Sequence, residues 1–382
     1  MGATPLTELG VRLLANVDAN RSDFAASVME VAAEQYRDPA RFAREVDVAF
    51  RRSPLLVALA CDIPNAGDFT TLDIADRPIV VVRGEDGVAR TFLNACRHRG
   101  RSVVDDCFGH ARRMTCPYHF WVYDSSGKLV GIPGKEAFEG IDVDGLIEYP
   151  TAERAGAVFA TLTVGAALDI DEWLGDMQSA LAMLRLDHLH RHDVETKLPS
   201  GSWKATADGY LDGYHLGYLH RNSIGAKSIT NRNTYDLYGP HVRIGFANKP
   251  ILDHRDVAAD LWSDPYQCFS LVHYVFPNVS ISGHPHRSLM VSRIFPGATP
   301  GECTVVQYQY FREPLDTDDL RADAEAKRQQ YRDVTYEEDF VTVMNVTRRF
   351  DVLAEAGEMI RFGRNEMGNQ NLHTWLDALL AQ

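Results

Sequence analysis

The chain has 382 residues, 45% of them hydrophobic, so it is long enough for two domains with sizeable cores. Its net charge of −14 argues against nucleic acid or an anionic membrane surface as a general partner. Four of its six cysteines, Cys61, Cys107, Cys268 and Cys303, are scattered without framework spacing, and the N-terminus lacks a basic start and an apolar run, so a soluble, reduced, cytoplasmic protein is expected.

Three parts follow one another along the chain. Residues 1–50 carry apolar side chains at helical spacing, which predicts an N-terminal helical arm. Residues 51–165 alternate β-rich runs such as Pro78–Arg83 with turns such as Gly84–Gly87, which predicts a small all-β domain. Residues 166–382 combine helical patterns with a block of strands, so an α+β domain with an antiparallel sheet is expected.

The predicted β domain carries two short motifs, Cys96-x-His98 and Cys116-x-x-His119. Two thiolates and two imidazoles suit a Rieske [2Fe–2S] centre, in which the cysteines hold one iron and the histidines the other. A structural zinc site is the alternative, because zinc also accepts two Cys and two His. In zinc fingers, however, a Cys pair precedes a His pair, whereas each half here reads Cys and then His. The pattern therefore favours a cluster that transfers single electrons.

A second set of candidate ligands lies in the α+β domain at His215 and His220, with Asp212 three residues before the first histidine. Two histidines and a carboxylate suit a mononuclear iron(II) site. Five positions along a regular helix would leave the two histidines well apart around the axis, so we expect an irregular or π-like turn, which the glycines of this segment permit. Alone, two such histidines are more often ordinary buried side chains, but the upstream cluster motif favours ligation.

The carboxylate ligand is expected farther along the chain. The best candidate segment is the acidic run Tyr336–Phe340, which opens a C-terminal helical pattern and contains Glu338 and Asp339. An acidic helix start is also favoured by the helix dipole alone. Asp339 is therefore predicted on weaker grounds than the histidines.

With these motifs in this order, the chain from roughly Tyr36 onward resembles the Rieske non-haem iron aromatic-ring-hydroxylating oxygenases, specifically the catalytic α subunit of the naphthalene dioxygenase-like group. The resemblance implies a catalytic role for Asp212, which would link an iron-site histidine to a cluster histidine of the neighbouring subunit. Because Asp212 lies three residues before His215, we expect both on one helical face. The ligands that the resemblance implies are Cys96, His98, Cys116 and His119 for the [2Fe–2S] cluster, and His215, His220 and Asp339 for the iron, with Glu338 as the alternative to Asp339.

The resemblance also implies a helix-grip (START-like) catalytic domain, a homotrimer, and a ferredoxin and/or flavin reductase that delivers electrons from NAD(P)H. A separate reductase agrees with the lack of a glycine-rich dinucleotide fingerprint in the sequence. The implied function is that of a terminal oxygenase that uses O2 to add one or two oxygen atoms to its substrate. An apolar substrate is expected, and an aromatic one is the leading candidate. A β subunit is left open. The alternatives are a Rieske electron-transfer protein without oxygenase activity and a zinc-stabilised ligand-binding protein.

Asp208 departs from the family pattern, since many members carry Asn four residues before the bridging aspartate. The arginines around the cluster motif suggest a docking face for an acidic electron donor, although internal pairing with Asp105 and Asp106 is an equally good interpretation. These arginines are Arg97, Arg99, Arg101, Arg112 and Arg113.

Two further groups of residues have no assigned role. The alternating His188, His190 and His192 are expected in an exposed loop rather than at a metal. An apolar pocket is suggested by several side chains in the strand-rich segment, although core packing also explains them. They are Phe246, Leu271, Val275, Phe276, Val279 and Phe295.

Overall fold

The structure is a computed structural model, and it describes residues 2–140, 142–192, 194–258, 261–262 and 265–382. Its α-helices are α1 Leu6–Asp18, α2 Pro39–Asp47, α3 Ile170–Leu174, α4 Met177–Ala182, α5 Trp203–Leu211, α6 Asp318–Asp333, α7 Val341–Thr347, α8 Phe350–Glu355 and α9 Met367–Leu380. Two π-helical segments, Val48–Arg52 and Val334–Phe340, continue α2 and α6.

The strands up to the end of the β-rich region are β1 Met29–Ala32, β2 Leu55–Leu59, β3 Asp68–Ile74, β4 Arg77–Arg83, β5 Ala89–Leu93, β6 Phe108–His110, β7 Arg113–Thr115, β8 Val122–Asp124, β9 Leu129–Gly131, β10 Glu148–Tyr149, β11 Thr151–Arg154 and β12 Ala157–Ala160. Those that follow are β13 His190–Arg191, β14 Thr196–Ser200, β15 Thr234–Tyr238, β16 His241–Ala247, β17 Phe269–Val275, β18 Val279–His284, β19 Ser288–Pro296, β20 Cys303–Phe311 and β21 Met359–Phe362.

Short 3-10 segments connect these elements at Ala33–Tyr36, Ala60–Asp62, Lys135–Phe138, Leu186–His188, His215–Gly217, Ile224–Lys227, Lys249–His254 and Pro265–Gln267. The chain divides into two compact units. One comprises Asp47–Trp173 with Arg185–His188, and the other comprises Met1–Val46, Leu174–Leu184 and Leu189–Gln382.

The unit around Asp47–Trp173 is built from three small antiparallel sheets, with strand orders β10-β5-β4-β3-β6, β11-β12-β2 and β7-β8-β9. The strands β4 and β5 contribute Val80, Val82 and Phe92 to a buried core that also contains Cys96 and Cys116. Both cysteines therefore lie in loops anchored by the core of this unit.

In the other unit an antiparallel sheet runs in the order β13-β20-β19-β18-β17-β16-β15, with β14 also paired to β20. Leu9 and Leu13 of α1 pack with Leu271 on one face. Helix α5 packs against β17 and β19. The small all-β part and the antiparallel sheet with helices confirm the predicted α+β class. No helix in the described part of the chain is both long and apolar enough to cross a membrane.

The N-terminal segment differs from a purely helical arm. Strand β1 pairs with β21, joining Met29 to Phe362 in antiparallel register. A short strand whose partner lies more than 300 residues away has no local signal in the sequence, which is why the pattern predicted only helices here. The domain boundaries expected at 50 and 165 stay predictions.

Candidate functional site: a Cys and His pair and a two-histidine, one-carboxylate group

The two Cys-and-His motifs lie on two tight loops of the unit Asp47–Trp173. Cys96 and His98 follow β5, where Cys96 N donates to Arg101 O (2.8 Å) and Gly100 N donates back to Cys96 O (2.8 Å). Cys116 and His119 lie between β7 and β8, where Phe120 N donates to Cys116 O (3.0 Å). The backbone groups at the start of each motif are therefore satisfied by hydrogen bonds within the same loop.

The cysteine pair is buried and is contacted by a tyrosine. Cys96 is 3% exposed and Cys116 is 1% exposed. The hydroxyl of Tyr123 lies 3.3 Å from Cys96 Sγ and accepts the backbone N–H of Arg97 at 3.0 Å. Burial, and the thiol of Cys96 beside it, raise the pKa of Tyr123, so the phenol keeps its proton at neutral pH. Tyr123 can therefore donate a hydrogen bond to a thiolate at Cys96.

The two imidazoles of these motifs lie together, with ring centroids of His98 and His119 4.5 Å apart. Trp121 stacks on His98 at 5.1 Å. Loss of solvent, with His119 and Arg99 nearby, lowers the pKa of His98 and favours the neutral ring that ligates metals. Nδ1 of His98 is buried and has no hydrogen-bond partner. A buried ring nitrogen without a partner and two buried thiols are the donor types that a cluster held by two Cys and two His requires.

In the other unit three predicted ligands converge. Nε2 of His215 lies 3.2 Å from Nε2 of His220, and Oδ1 of Asp339 lies 3.0 Å from His220 Nε2 and 3.6 Å from His215 Nε2. One donor atom from each of the three residues lies within 4.8 Å of the others. Asp339 Oδ1 is buried and makes no hydrogen bond of good geometry, despite its short distance to His220. A donor set of this composition suits a divalent iron, so the residues fit the expected metal.

The segment that carries the histidines is irregular. Helix α5 ends at Leu211, Asp212 adopts an extended conformation (φ −93°, ψ 119°), and His215 begins a 3-10 turn. Of the irregular or π-like turn expected at the histidines, the irregular form is observed, as a 3-10 turn. The shared helical face expected for Asp212 and His215 is wrong, because α5 ends before Asp212. A Cβ on Gly213 would lie 2.0 Å from Asn233 Nδ2, so a residue without a side chain is needed where the chain leaves α5.

The π-like distortion lies at the carboxylates instead. Glu338 and Asp339 belong to the π-helical segment Val334–Phe340, which joins α6 to α7 without a break. The acidic run is therefore in the middle of a long helical stretch, and the expected helix start there is wrong. The wider turn lets two consecutive carboxylates approach the same histidine from different sides.

Each histidine of the group has a second carboxylate at its other ring nitrogen. Asp212 Oδ2 lies 2.9 Å from His215 Nδ1, and Glu338 Oε2 lies 2.5 Å from His220 Nδ1. Burial lowers the pKa of His220, but Asp339 and Glu338 outweigh it and raise the pKa overall. The surplus of negative charge around two imidazoles is what a bound cation would balance.

Asp208, the departure from the family pattern, lies outside this group. Its carboxylate accepts the Tyr36 hydroxyl (2.7 Å), lies 3.1 Å from His373 Nε2, and accepts Asn369 Nδ2 (3.3 Å). Asp208 therefore belongs to a buried network that ties residues near both ends of the chain to α5. Sequence reasoning missed Tyr36 and His373, because nothing local in either segment indicates that they meet.

The three alternating histidines do not form one exposed loop. His190 is exposed, whereas His192 is half-buried, with its Nε2 3.1 Å from Glu325 Oε2.

One arginine near the cluster motif pairs internally, as the sequence allowed. Arg101 binds Asp105 through two hydrogen bonds of 2.7 Å and 2.5 Å. This pair removes one arginine from the expected docking face.

The strand residues suggested as a pocket do not share one face. Phe246 lies beside Gly213, at the segment that leads to the histidines. Register places Leu271 opposite Gly245, and hence on the other face of the sheet from Phe246. Leu271 packs there with Leu9 and Leu13. Of these two, only Phe246 can contribute to a pocket beside the metal group.

Comparison with known proteins identifies both units. Residues 186–382, more than half of the chain, match the family described as Ring hydroxylating alpha subunit (catalytic domain), and residues 53–150 match the Rieske [2Fe–2S] domain. These matches confirm the expected cluster and mononuclear iron as cofactors of the family.

Among curated relatives, the chain is 36% identical over 195 residues to the biphenyl 2,3-dioxygenase subunit alpha of Rhodococcus jostii (48% of this chain, 41% of the relative). It is 31% identical over 187 residues to the glycine betaine monooxygenase oxygenase subunit of Chromohalobacter salexigens (48% and 42%). These matched regions span less than half the length of the two relatives.

A solved naphthalene 1,2-dioxygenase from Rhodococcus sp. superposes with a TM-score of 0.75 at 21% identity over the whole of both chains, which shows the same fold. The fold, the two family matches and the two groups of candidate ligands agree with one another. The chain belongs to the ring-hydroxylating α-subunit family of Rieske oxygenases.

Proposed function

We propose that this protein is the terminal oxygenase component of a multicomponent system that uses electrons from NAD(P)H and O2 to hydroxylate an organic substrate. The observation that carries the proposal is the convergence of His215, His220 and Asp339 in a chain that also has a Rieske domain. An electron carrier would not need the second group. A zinc-stabilised binding protein would need neither the Rieske domain nor the oxygenase domain.

The proposal assigns residues to both cofactors. Cys96, His98, Cys116 and His119 would hold the [2Fe–2S] cluster, and His215, His220 and Asp339 would hold the mononuclear iron. Bound there, the cluster supplies one-electron transfer and the iron supplies O2 activation. Asp339 is preferred to Glu338 as the ligand because it faces the Nε2 atoms of both histidines.

Asp212 is proposed as the residue that positions His215 and links the two centres. It accepts at Nδ1 of His215 and also accepts the backbone N–H of Tyr214 at 2.5 Å. A carboxylate held from two sides fixes the ring orientation and leaves Nε2 with its lone pair toward the metal. The link to a cluster histidine of a neighbouring subunit is part of the proposal.

The assembly is proposed to be a homotrimer, with a β subunit left open. Aromatic side chains beside both centres are between 47% and 63% exposed: Tyr118 and Phe120 at the cluster loop, and Tyr214 and Tyr218 at the histidine turn. Exposed aromatic groups at functional loops are typical of surfaces that a partner covers. A second copy of the chain is the occupant that the proposal requires.

The electron donor is proposed to be a ferredoxin and/or flavin reductase. The substrate is proposed to be apolar and aromatic, by analogy with relatives such as the biphenyl dioxygenase subunit.

The proposed location is the cytoplasm, which agrees with six cysteines that are all free of disulfides. Both monooxygenase and dioxygenase relatives match, so the outcome of oxygenation stays open between the two.

The test is His215→Ala. We expect it to retain the cluster spectrum but to lose the mononuclear iron and product formation with a donor system and an aromatic substrate, because one of three ligands is removed. His190→Ala is the matched control, since His190 is exposed. Product formation by His215→Ala at the wild-type rate would refute the assignment.

A further inference from the structure

Glu338 contacts His220 in the same way that Asp212 contacts His215. Its Oε2 lies 2.5 Å from His220 Nδ1, compared with 2.9 Å between Asp212 Oδ2 and His215 Nδ1. The two imidazoles therefore have the same environment: a carboxylate at Nδ1, and Nε2 toward the shared group. The resemblance assigned such a partner to His215 alone and left Glu338 as a substitute ligand.

Glu338 is itself held in place. Ser223 donates its hydroxyl to the same Oε2 at 2.8 Å, and Ser223 N donates to the backbone carbonyl of His220 at 3.0 Å. On the π-helical segment, Thr342 donates its hydroxyl to Glu338 O at 2.7 Å. Both ends of the contact are thus fixed, one by the turn after His220 and the other by the helix.

We propose that Glu338 is a positioning residue for His220 and not a metal ligand, with Ser223 holding its carboxylate. The inference rests on the proposed function, since it assigns an orientation to a ligand of the proposed iron. It gives the site two carboxylate-and-histidine pairs, one on each imidazole.

The geometry shows which carboxylate can bind the metal and which can only position His220. The two nitrogens of an imidazole point in diverging directions, so a carboxylate at Nδ1 is directed away from an ion at Nε2 of the same ring. Asp339 Oδ1, at 3.0 Å and 3.6 Å from the two Nε2 atoms, is on the metal side. Glu338 is adjacent in sequence but on the opposite side of the His220 ring.

Glu338 affects both the tautomer and the orientation of the His220 imidazole. A carboxylate at Nδ1 keeps the ring proton there, which leaves the Nε2 lone pair free, and its negative charge makes that nitrogen a better donor to a cation. Removal of such a partner typically weakens metal binding by about 10–100-fold.

The experiment measures iron(II) affinity of the full-length protein by competition with a chelator, after selective removal of the mononuclear iron, with the circular dichroism spectrum as the control for folding of the unit that carries Glu338. We expect Glu338→Ala to bind iron(II) about 10–100-fold more weakly than wild type. Glu338→Gln, which keeps an acceptor oxygen but loses the charge, should lie between the two, and Ser223→Ala should weaken binding less than Glu338→Ala. Glu337→Ala is the matched control, because Glu337 is the exposed neighbour on the same segment.

Two results would overturn the inference. If Glu338→Ala binds iron(II) with wild-type affinity, Glu338 does not position His220. Loss of all binding in Glu338→Ala, with binding retained in Asp339→Ala, would make Glu338 the ligand. Failure of the proposed function gives a different result, because wild-type protein would then bind no iron(II) at these residues.

Discussion

At the scale of single residues, the two histidines of the metal group share one arrangement: a carboxylate contacts Nδ1 of each ring, while Nε2 lies toward the common group. Asp212 and Glu338 hold the two histidines of the metal group, and Tyr123 lies against Cys96. Held donors lose less conformational entropy when a metal binds, which favours both affinity and a single geometry.

Tyr123→Phe is expected to lower the reduction potential of the cluster. A hydroxyl that donates to a ligand sulfur stabilises the reduced, more negative state, and one hydrogen bond of about 1 kcal/mol corresponds to roughly 40 mV for a one-electron couple. The potential is measured by redox titration of the EPR signal. Tyr149→Phe, in strand β10 of the same unit, is the control. An unchanged or higher potential in Tyr123→Phe would contradict the contact.

His273 makes stability depend on pH. It is 2% exposed, and burial lowers its pKa to about 3, with Arg243 adding to the effect. In the unfolded chain a histidine takes up its proton near pH 6.5, so between about pH 6.5 and 3 only the unfolded state gains it. Stability is therefore expected to fall with decreasing pH, by about 1.4 kcal/mol per unit from this residue.

The pH effect is measured as the difference between wild type and His273→Gln in urea unfolding at pH 6.5 and pH 5. Because other groups titrate equally in both proteins, the difference isolates His273. Equal slopes for the two proteins would show that His273 is protonated in the folded state.

The sequence pointed to the candidate ligands and to Asp212, but not to the other residues that contact the ligands. Cys96, His98, Cys116 and His119 stand close together in the chain with a spacing typical of one cofactor, and the two histidines at 215 and 220 are also local. Glu338, Ser223, Tyr123 and His373 are recognised only through contacts that tertiary structure creates. Glu338 was noticed as an acidic neighbour, yet its partner is 118 residues away.

At the scale of elements, α2 and α5 are joined by a buried ion pair. Lys204 Nζ lies 2.5 Å from Glu45 Oε1, with the two side chains 3% and 1% exposed. Arg41 donates to the same oxygen at 2.8 Å, and Trp203 Nε1 donates to the other oxygen at 3.3 Å. This network attaches the N-terminal helix α2 to the helix that leads to Asp212.

Glu45→Gln is expected to lower the free energy of unfolding of this unit by about 3–5 kcal/mol, because Lys204 is then left as a buried cation without its counter-charge. Urea unfolding measures the change. Glu30→Gln is the control, since Glu30 pairs with Arg361 on the surface at 3.2 Å and such pairs contribute less than about 1 kcal/mol. A change below 1 kcal/mol in Glu45→Gln would contradict the importance of the pair.

Elements with a strong local pattern were predicted well, and those that depend on distant partners were not. The strands from β16 to β20 and the helix α6 lie within residues 166–382, where a block of strands and helices was expected. Strand β1 and the π-helical segment Val334–Phe340 did not follow from periodicity. The first needs β21 as its partner, and the second differs from an α-helix by one wider turn, which no residue pattern marks.

At the scale of the whole molecule, the two units each carry one group of candidate ligands. The cluster loops belong to the unit Asp47–Trp173, and the metal group belongs to the unit that contains the large antiparallel sheet. The Rieske match at residues 53–150 lies in the first of these units, and the catalytic-domain match at residues 186–382 covers most of the second, which agrees with a two-cofactor oxygenase subunit. Each motif lies within a single unit, whereas the domain boundaries expected from the sequence stay predictions.

The substrate was less accessible to sequence reasoning. Apolar residues in strands were suggested as lining a pocket. The sheet register, however, places Leu271 on the face covered by α1 and Phe246 on the opposite face, beside the segment that leads to His215. The face on which a strand residue lies depends on register and on which layer covers the sheet, and a composition pattern does not record either.

The most direct test of the central claim is the content of iron, zinc and acid-labile sulfide per chain in anaerobically purified protein, with the EPR spectrum after reduction. A Rieske cluster together with a mononuclear site predicts roughly three irons and two sulfides per chain and a Rieske-type signal. Zinc without sulfide, or a cluster with no further iron after reconstitution with iron(II), would contradict the account.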